Sequence, residues 1–123
     1  MRAIVTANAR LLFGGLMSFV MMGAGQSLYG PALPAFARDF GIGAGTSGLL
    51  VSAHWVGAAV GVAVMFLHGS RVTPRMVLGT MAAGAALVAA GLGWSVTLLG
   101  AAIFGAGYGG STVIWNRRFL TVF

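Results

Sequence analysis

From Leu11 to Ala37 the chain carries no charged side chain. That run is longer than the ~20 residues a helix needs to cross the hydrocarbon core of a bilayer. Further long apolar stretches follow it, and arginines punctuate them. Only 7% of the 123 residues are charged and 59% are hydrophobic, whereas a soluble domain carries about 25% charged residues. So few charges cannot cover a water-facing surface. A solvent that tolerates apolar surface on every side is lipid, and in lipid the backbone must satisfy its own hydrogen bonds as helix or closed barrel. The spacing predicts an all-α, polytopic membrane helical bundle forming one transmembrane domain over residues 1–123.

Four spans are expected, at about 11–33, 48–67, 76–92 and 96–115. Pro31 and Pro34 mark the expected outer end of the first, because proline removes a backbone donor and disfavours helix in the residue before it. A signal peptide is the competing explanation of that segment, with basic residues ahead of an apolar core and small residues at Gly23–Gly25. The apolar run continues well past those residues, and three more spans follow. Phe36–Ser47 reads as a glycine-rich loop in which Thr46 or Ser47 caps the second helix. His68–Arg75 reads as a tight interfacial loop, Gly93-Trp94-Ser95 as a very short turn, and Asn116-Arg117-Arg118 as the end of the fourth span.

Arginine placement sets the expected orientation. With the amino terminus inside, Arg2, Arg10, Arg71, Arg75, Arg117 and Arg118 all fall on the cytoplasmic side, as the bias of basic residues in short loops requires. Only Arg38 falls outside, next to Asp39, the single acid of the chain. The expected localisation is therefore the cell (inner) membrane, multi-pass, with both termini cytoplasmic.

Several function classes are excluded or left without residues. A net charge of +6 invites a nucleic-acid reading, but the arginines come in pairs between apolar runs and form no single basic face. There are no cysteines. The two histidines have no Glu or Cys at ligand spacing, so no metal site and no cofactor is expected. The lone carboxylate leaves no Ser–His–Asp set to assemble, and the chain reads as non-enzymatic. Two GxGxxG matches, at Gly43–Gly48 and Gly105–Gly110, lack the preceding strand that gives such a fingerprint meaning.

Polar residues inside spans carry more information, since they are costly in lipid and face the protein interior or a wet cavity. Gly15, Ser18, Met22, Gln26 and Tyr29 fall on one helical stripe, and Gly105, Tyr108, Thr112 and Asn116 on another. Gln26, Tyr29, Tyr108 and Asn116 are the candidate solute-binding residues; the competing role for each is a hydrogen bond between helices or an interfacial position. His54 is a candidate proton-coupling group, or else a hydrogen-bonded histidine in a packed interface. His68, at the cytoplasmic boundary, is expected to snorkel. Gly57 and Gly61, and Gly105 and Gly109, form GxxxG pairs of the kind that lets membrane helices approach closely.

The order of these features resembles the amino-terminal part of a major facilitator superfamily transporter. The segment Tyr29-Gly-Pro-Ala-Leu-Pro-Ala-Phe-Ala-Arg-Asp-Phe-Gly41 follows the first span, and Ser47-Gly-Leu-Leu opens the second. The family's basic loop after span two runs approximately Gly-x-Leu-Ala-Asp-Arg-x-Gly-Arg-Arg. Here it is similar to Phe66-Leu-His-Gly-Ser-Arg-Val-Thr-Pro-Arg75, with Arg71 and Arg75 in place, Ser70 for the aspartate, and Phe66, Thr73 and Pro74 departing from the pattern. Gly105–Gly110 has the glycine-rich look of the family's fourth span, with Ala101 where an arginine is often found. Asn116-Arg-Arg-Phe119 looks like a loop entering a fifth helix.

The resemblance implies a permease or efflux fragment of a twelve-span, alternating-access machine. Ser70, Arg71 and Arg75 would then form its gating loop, and spans one and four would line its cavity. The implied cargo is a small organic solute. The implied partners are the lipid bilayer and the remaining transporter half or other membrane helices, with no nucleic acid, and the chain is not expected to transport alone. Two alternatives remain. One is a small four-span homodimeric efflux protein, although no span holds the embedded glutamate that the small multidrug resistance family relies on. The other is a non-transporting membrane subunit or assembly factor.

Overall fold

The computed structural model describes residues 1–123 and is helical throughout, with no strand. Seven helices follow one another: α1 (Arg2–Ala7), α2 (Ala9–Ser27), α3 (Tyr29–Asp39), α4 (Ala44–Ser47), α5 (Leu49–His68), α6 (Pro74–Ala90) and α7 (Trp94–Val122). Two helical stretches, 44–68 and α7, are long and apolar enough to cross a membrane, and α2 with α3 makes a third if the bent pair is one span. The 17 residues of α6 rise ~25 Å, at the short end of what a bilayer core accepts.

The first span differs from its expected bounds. The helix does not end at Leu33. It bends by 43° at Leu28 and continues to Asp39. Pro31 falls in the first turn of α3, where backbone N–H groups lack intrahelical partners in any case. Pro34 lies inside α3, and there it deprives only the carbonyl of Gly30 of a donor. The two prolines therefore displace the break upstream instead of stopping the helix. The expected loop at Phe36–Ser47 shrinks to Phe40–Gly43, where Gly41 takes φ +62°, a conformation that disfavours any Cβ. Neither Thr46 nor Ser47 caps a helix. Gly43 precedes α4, and the Ser47 hydroxyl instead donates to the Ala44 carbonyl at 2.7 Å.

Two further boundaries move. Trp94 opens α7, and the turn before it is Gly91–Gly93, with φ +61° and +142° at the two glycines. At the other end, Asn116-Arg-Arg-Phe119 is no loop: α7 runs through it to Val122. That stretch holds neither glycine nor proline, and the Thr121 hydroxyl turns back onto the Arg117 carbonyl at 2.7 Å. The turn before α6 behaves as a stop and start signal should, with Pro74 as its first residue and the Thr73 hydroxyl accepting the Met76 N–H at 3.3 Å.

Helix α7 is the centre of the bundle. Its most apolar window is 56% buried, against 33% for the 44–68 stretch. The glycine contacts give the helix directions. A methyl group at Gly57 would overlap the Ala102 carbonyl and one at Gly61 the Ala106 carbonyl; Gly105 meets the His54 carbonyl and Gly109 that of Ala58. Partner numbers rise together, so α5 and α7 run parallel. On the other side, Gly84 meets Gly100 and Phe104 while Gly107 meets Met81 and Val77. These numbers run oppositely, so α6 is antiparallel to α7. So is α2, with Gly15 against Phe119 and Gly25 against Phe104. Successive long helices thus alternate in direction.

Only 25 of the 123 residues are buried, while Phe13, Val20, Val56, Val60, Phe66 and Leu120 are among the large apolar side chains left exposed. Exposed apolar area of this extent on every long helix is unfavourable in water and is the ordinary outer surface of a bundle in lipid.

Candidate functional site

The elbow at Leu28 brings the sequence-predicted polar residues together. Gln26 is the second-last residue of α2 and Tyr29 the first of α3, so they leave the bend on either side of it. The Tyr108 hydroxyl of α7 donates to Gln26 Oε1 at 3.1 Å. The Tyr29 hydroxyl lies 3.0 Å from Nδ1 of His54 on α5. One polar bond therefore ties the α2 arm of the bent helix to α7, and a second ties the α3 arm to α5.

His54 joins the two pairs. Its ring is fully buried and sits edge-on to Tyr108, Tyr29 and Trp55, with centroid distances of 5.0, 5.2 and 5.2 Å, and 5.5 Å from Phe104. Gly105 lets the backbone of α5 close on α7 at this level, because any side chain there would collide with the His54 carbonyl. Nε2 of His54 has no hydrogen-bond partner. In the Nε2–H tautomer the Tyr29 hydroxyl donates to Nδ1 and a buried N–H is left without an acceptor. In the Nδ1–H tautomer the hydroxyl accepts and a buried lone pair is left without a donor. Either arrangement leaves one polar atom unsatisfied, at a typical cost of ~1–3 kcal/mol.

Gln26 is half-buried and spends only its carbonyl oxygen on Tyr108. Its amide has two N–H donors, and these are free to meet water or a solute. His54 is closed off by comparison, and Tyr29, though mostly buried, reaches the wall of a neighbouring cavity. Asn116 stands apart. It lies eight residues beyond Tyr108, ~12 Å along α7, and is exposed. The stripe containing it turns out of the bundle below Thr112, whose hydroxyl donates to the Tyr108 carbonyl at 3.0 Å. Ser70, Arg71 and Arg75 are exposed around the turn between α5 and α6, far from the elbow.

Sequence reasoning placed Gln26, Tyr29, His54 and Tyr108 in spans but paired none of them, and it missed Trp55 and Phe104 as walls of the cluster. A helical wheel ranks faces within one helix. The pairing arises from the elbow and from the α5–α7 register, and neither is visible in a single wheel. A cavity of about 700 Å3 opens beside the cluster, between the elbow and the carboxyl-terminal end of α6, lined mainly by apolar residues including Tyr29, Phe36, Val88 and Phe104, with Asp39 also in its wall. Comparisons with protein-family models, curated proteins and solved structures return no match.

Proposed function

We propose that the chain forms the first four transmembrane helices of a major-facilitator-like, alternating-access transporter for a small organic solute. It lies in the inner membrane with both termini cytoplasmic and works together with the remaining half of the transporter. The observation that carries this proposal is the polar cluster Gln26–Tyr108 and Tyr29–His54, set at a bend in the middle of an otherwise apolar bundle. Polar groups held there at a cost in lipid are a functional signature by default. Broken helices are where transporters place their binding groups. The alternation of α2, α5, α6 and α7 supports four crossings, with α6 as a short third span. The arginine distribution supports the orientation, and the order of motifs supports the family. Gln26 and Tyr108 are the solute-facing pair, Tyr29 and His54 hold α3 against α5 and supply the polar pair that carries a proton, and no residue is assigned a catalytic role.

A second reading has one specific observation in its favour: the four polar groups already pair with each other, as they would in a non-transporting membrane subunit whose cluster is purely structural. Aqueous access decides between the two. The chain has no native cysteine, so single cysteines report cleanly. A Gln26→Cys variant in native membranes is expected to react with a small hydrophilic maleimide roughly tenfold faster than Ser18→Cys, because the reactive thiolate needs water around it. Equal, slow rates at both positions would leave the cluster structural.

The same background tests the threading. Ser70→Cys and Thr121→Cys are expected to be shielded from an impermeant thiol reagent in intact cells, and Gly43→Cys to be labelled. Labelling of all three, or of none, would remove the four-crossing arrangement. Within the assembled transporter, Gln26→Ala is expected to raise the KM for solute by roughly five- to tenfold, the worth of one hydrogen bond, with the amount of protein in the membrane unchanged. A fall in that amount at constant KM would make Gln26 structural.

A further inference from the structure

We infer that the chain carries a binding site for the phosphate headgroup of an anionic glycerophospholipid at the end of the bundle where α5 passes into α6. A cleft of about 440 Å3 opens there between the start of α2, the α5–α6 turn and the last turns of α7. Leu11, Val72 and Ile114 supply apolar walls, and Ser70, Arg117 and Arg118 supply polar ones. Such a mixture fits an amphiphile better than a free ion. The arginines bind the phosphate by charge-assisted hydrogen bonds, and the apolar walls take the first part of the acyl chains.

Charge balance is the decisive point. The chain has seven arginines and one carboxylate. That carboxylate, Asp39, lines the other cavity at the far end of α6, ~25 Å away along that helix and beyond the ~8–10 Å over which charges interact at physiological salt. No side chain at the α5–α6 end can neutralise Arg117 or Arg118. Helix ends help only in part. The Nη1 atom of Arg117 packs against Gly69, at the negative end of the α5 dipole, whereas the positive end of α6 begins beside Val72. Arg118 has no such partner. With no carboxylate side chain within reach, the counter-ion this cleft favours is an external anion, and in a membrane the nearest supply is lipid.

The proposal rests on the membrane reading but not on transport. The test uses the full chain purified in mild detergent, with phosphatidylglycerol or phosphatidylcholine of the same acyl chains added and retention read by native mass spectrometry. At ~1 kcal/mol per arginine near anionic lipid, a roughly tenfold to thirtyfold preference for phosphatidylglycerol is expected. The Arg117→Gln/Arg118→Gln variant is expected to bring that ratio to about one. Arg117→Lys/Arg118→Lys keeps most of it, and Arg38→Gln at the opposite end leaves it unchanged. Helical circular dichroism in lipid-free detergent checks folding. If the double variant unfolds, Arg118→Gln alone carries the test, since it leaves the Gly69 contact intact. An unaltered preference in the glutamine variants overturns the site. So does retention of inorganic phosphate equal to that of phosphatidylglycerol, which would make the cleft a free-anion site. A chain that is folded and monomeric in buffer without detergent would overturn the membrane reading itself, a separate result.

Discussion

Gly57→Leu is expected to abolish accumulation of folded protein, or to lower its stability in detergent by at least ~3 kcal/mol, the upper end of what overpacking usually costs. The size follows from what the new side chain meets. At most positions an added methylene pushes against another side chain, which can rotate away. At Gly57 it meets the backbone carbonyl of Ala102, and the next turn repeats the pattern with Gly61 against Ala106. The facing glycines, Gly105 and Gly109, meet the carbonyls of His54 and Ala58. Two helices locked through four backbone contacts cannot relieve an overlap by moving one rotamer. They must separate, and separation also releases the His54 ring from the wall of α7. Gly105→Leu should therefore be at least as damaging. Gly23→Leu is the control, because nothing lies within 4 Å of a Cβ placed there. Unfolding in a denaturing detergent titration checks all three. A Gly57→Leu protein as stable as Gly23→Leu would mean that α5 and α7 do not pack through these glycines.

Glycine spacing made this contact legible in the sequence, although the sequence could not say which glycines face which. Chance pairs are expected among 21 glycines, and GxxxG alone does not name the partner helix. The helix after the α5–α6 turn begins at Pro74, two residues ahead of the expected start at 76, because Thr73-Pro74 is itself a local start signal. Helix ends are harder to read where two signals compete. Pro31 and Pro34 are strong breakers, yet a proline in a first turn costs nothing extra, so the break moved upstream to Leu28. Around Asn116–Arg118 the charges read as punctuation in the sequence. Arginine is a good helix former, and charge marks where a membrane ends, not where a helix does. The candidate site shows the same division. Gln26, Tyr29, His54 and Tyr108 were found because polar groups inside apolar runs are conspicuous. Their pairing depends on a bend and a register that arise only in three dimensions.

That pairing yields the second large effect, which a double-mutant cycle isolates. Tyr29→Phe removes only a hydroxyl, yet it strands Nδ1 of a histidine whose Nε2 already lacks a partner. His54→Phe keeps a ring of similar size among Tyr108, Trp55 and Phe104 but strands the Tyr29 hydroxyl. Each single change is expected to cost ~1–3 kcal/mol, the penalty for leaving a buried polar group unmade. Changing both partners to apolar rings of similar shape is nearly neutral for stability by the same principle. It also removes the stranded Nε2 atom. The double variant is therefore expected to be more stable than either single one, with a coupling of roughly 1–3 kcal/mol. Additive losses would show that the 3.0 Å contact contributes nothing specific, and the α3 arm of the elbow would then be held by packing alone. Function should part company with stability in this variant. Under the transport proposal, if Tyr29 and His54 only pin α3 to α5, the stable double variant transports normally in the assembled transporter. If their polar atoms carry a proton or meet the solute, it is stable and inactive. On that proposal, a cluster kept at the cost of an unsatisfied nitrogen makes the inactive outcome the expected one.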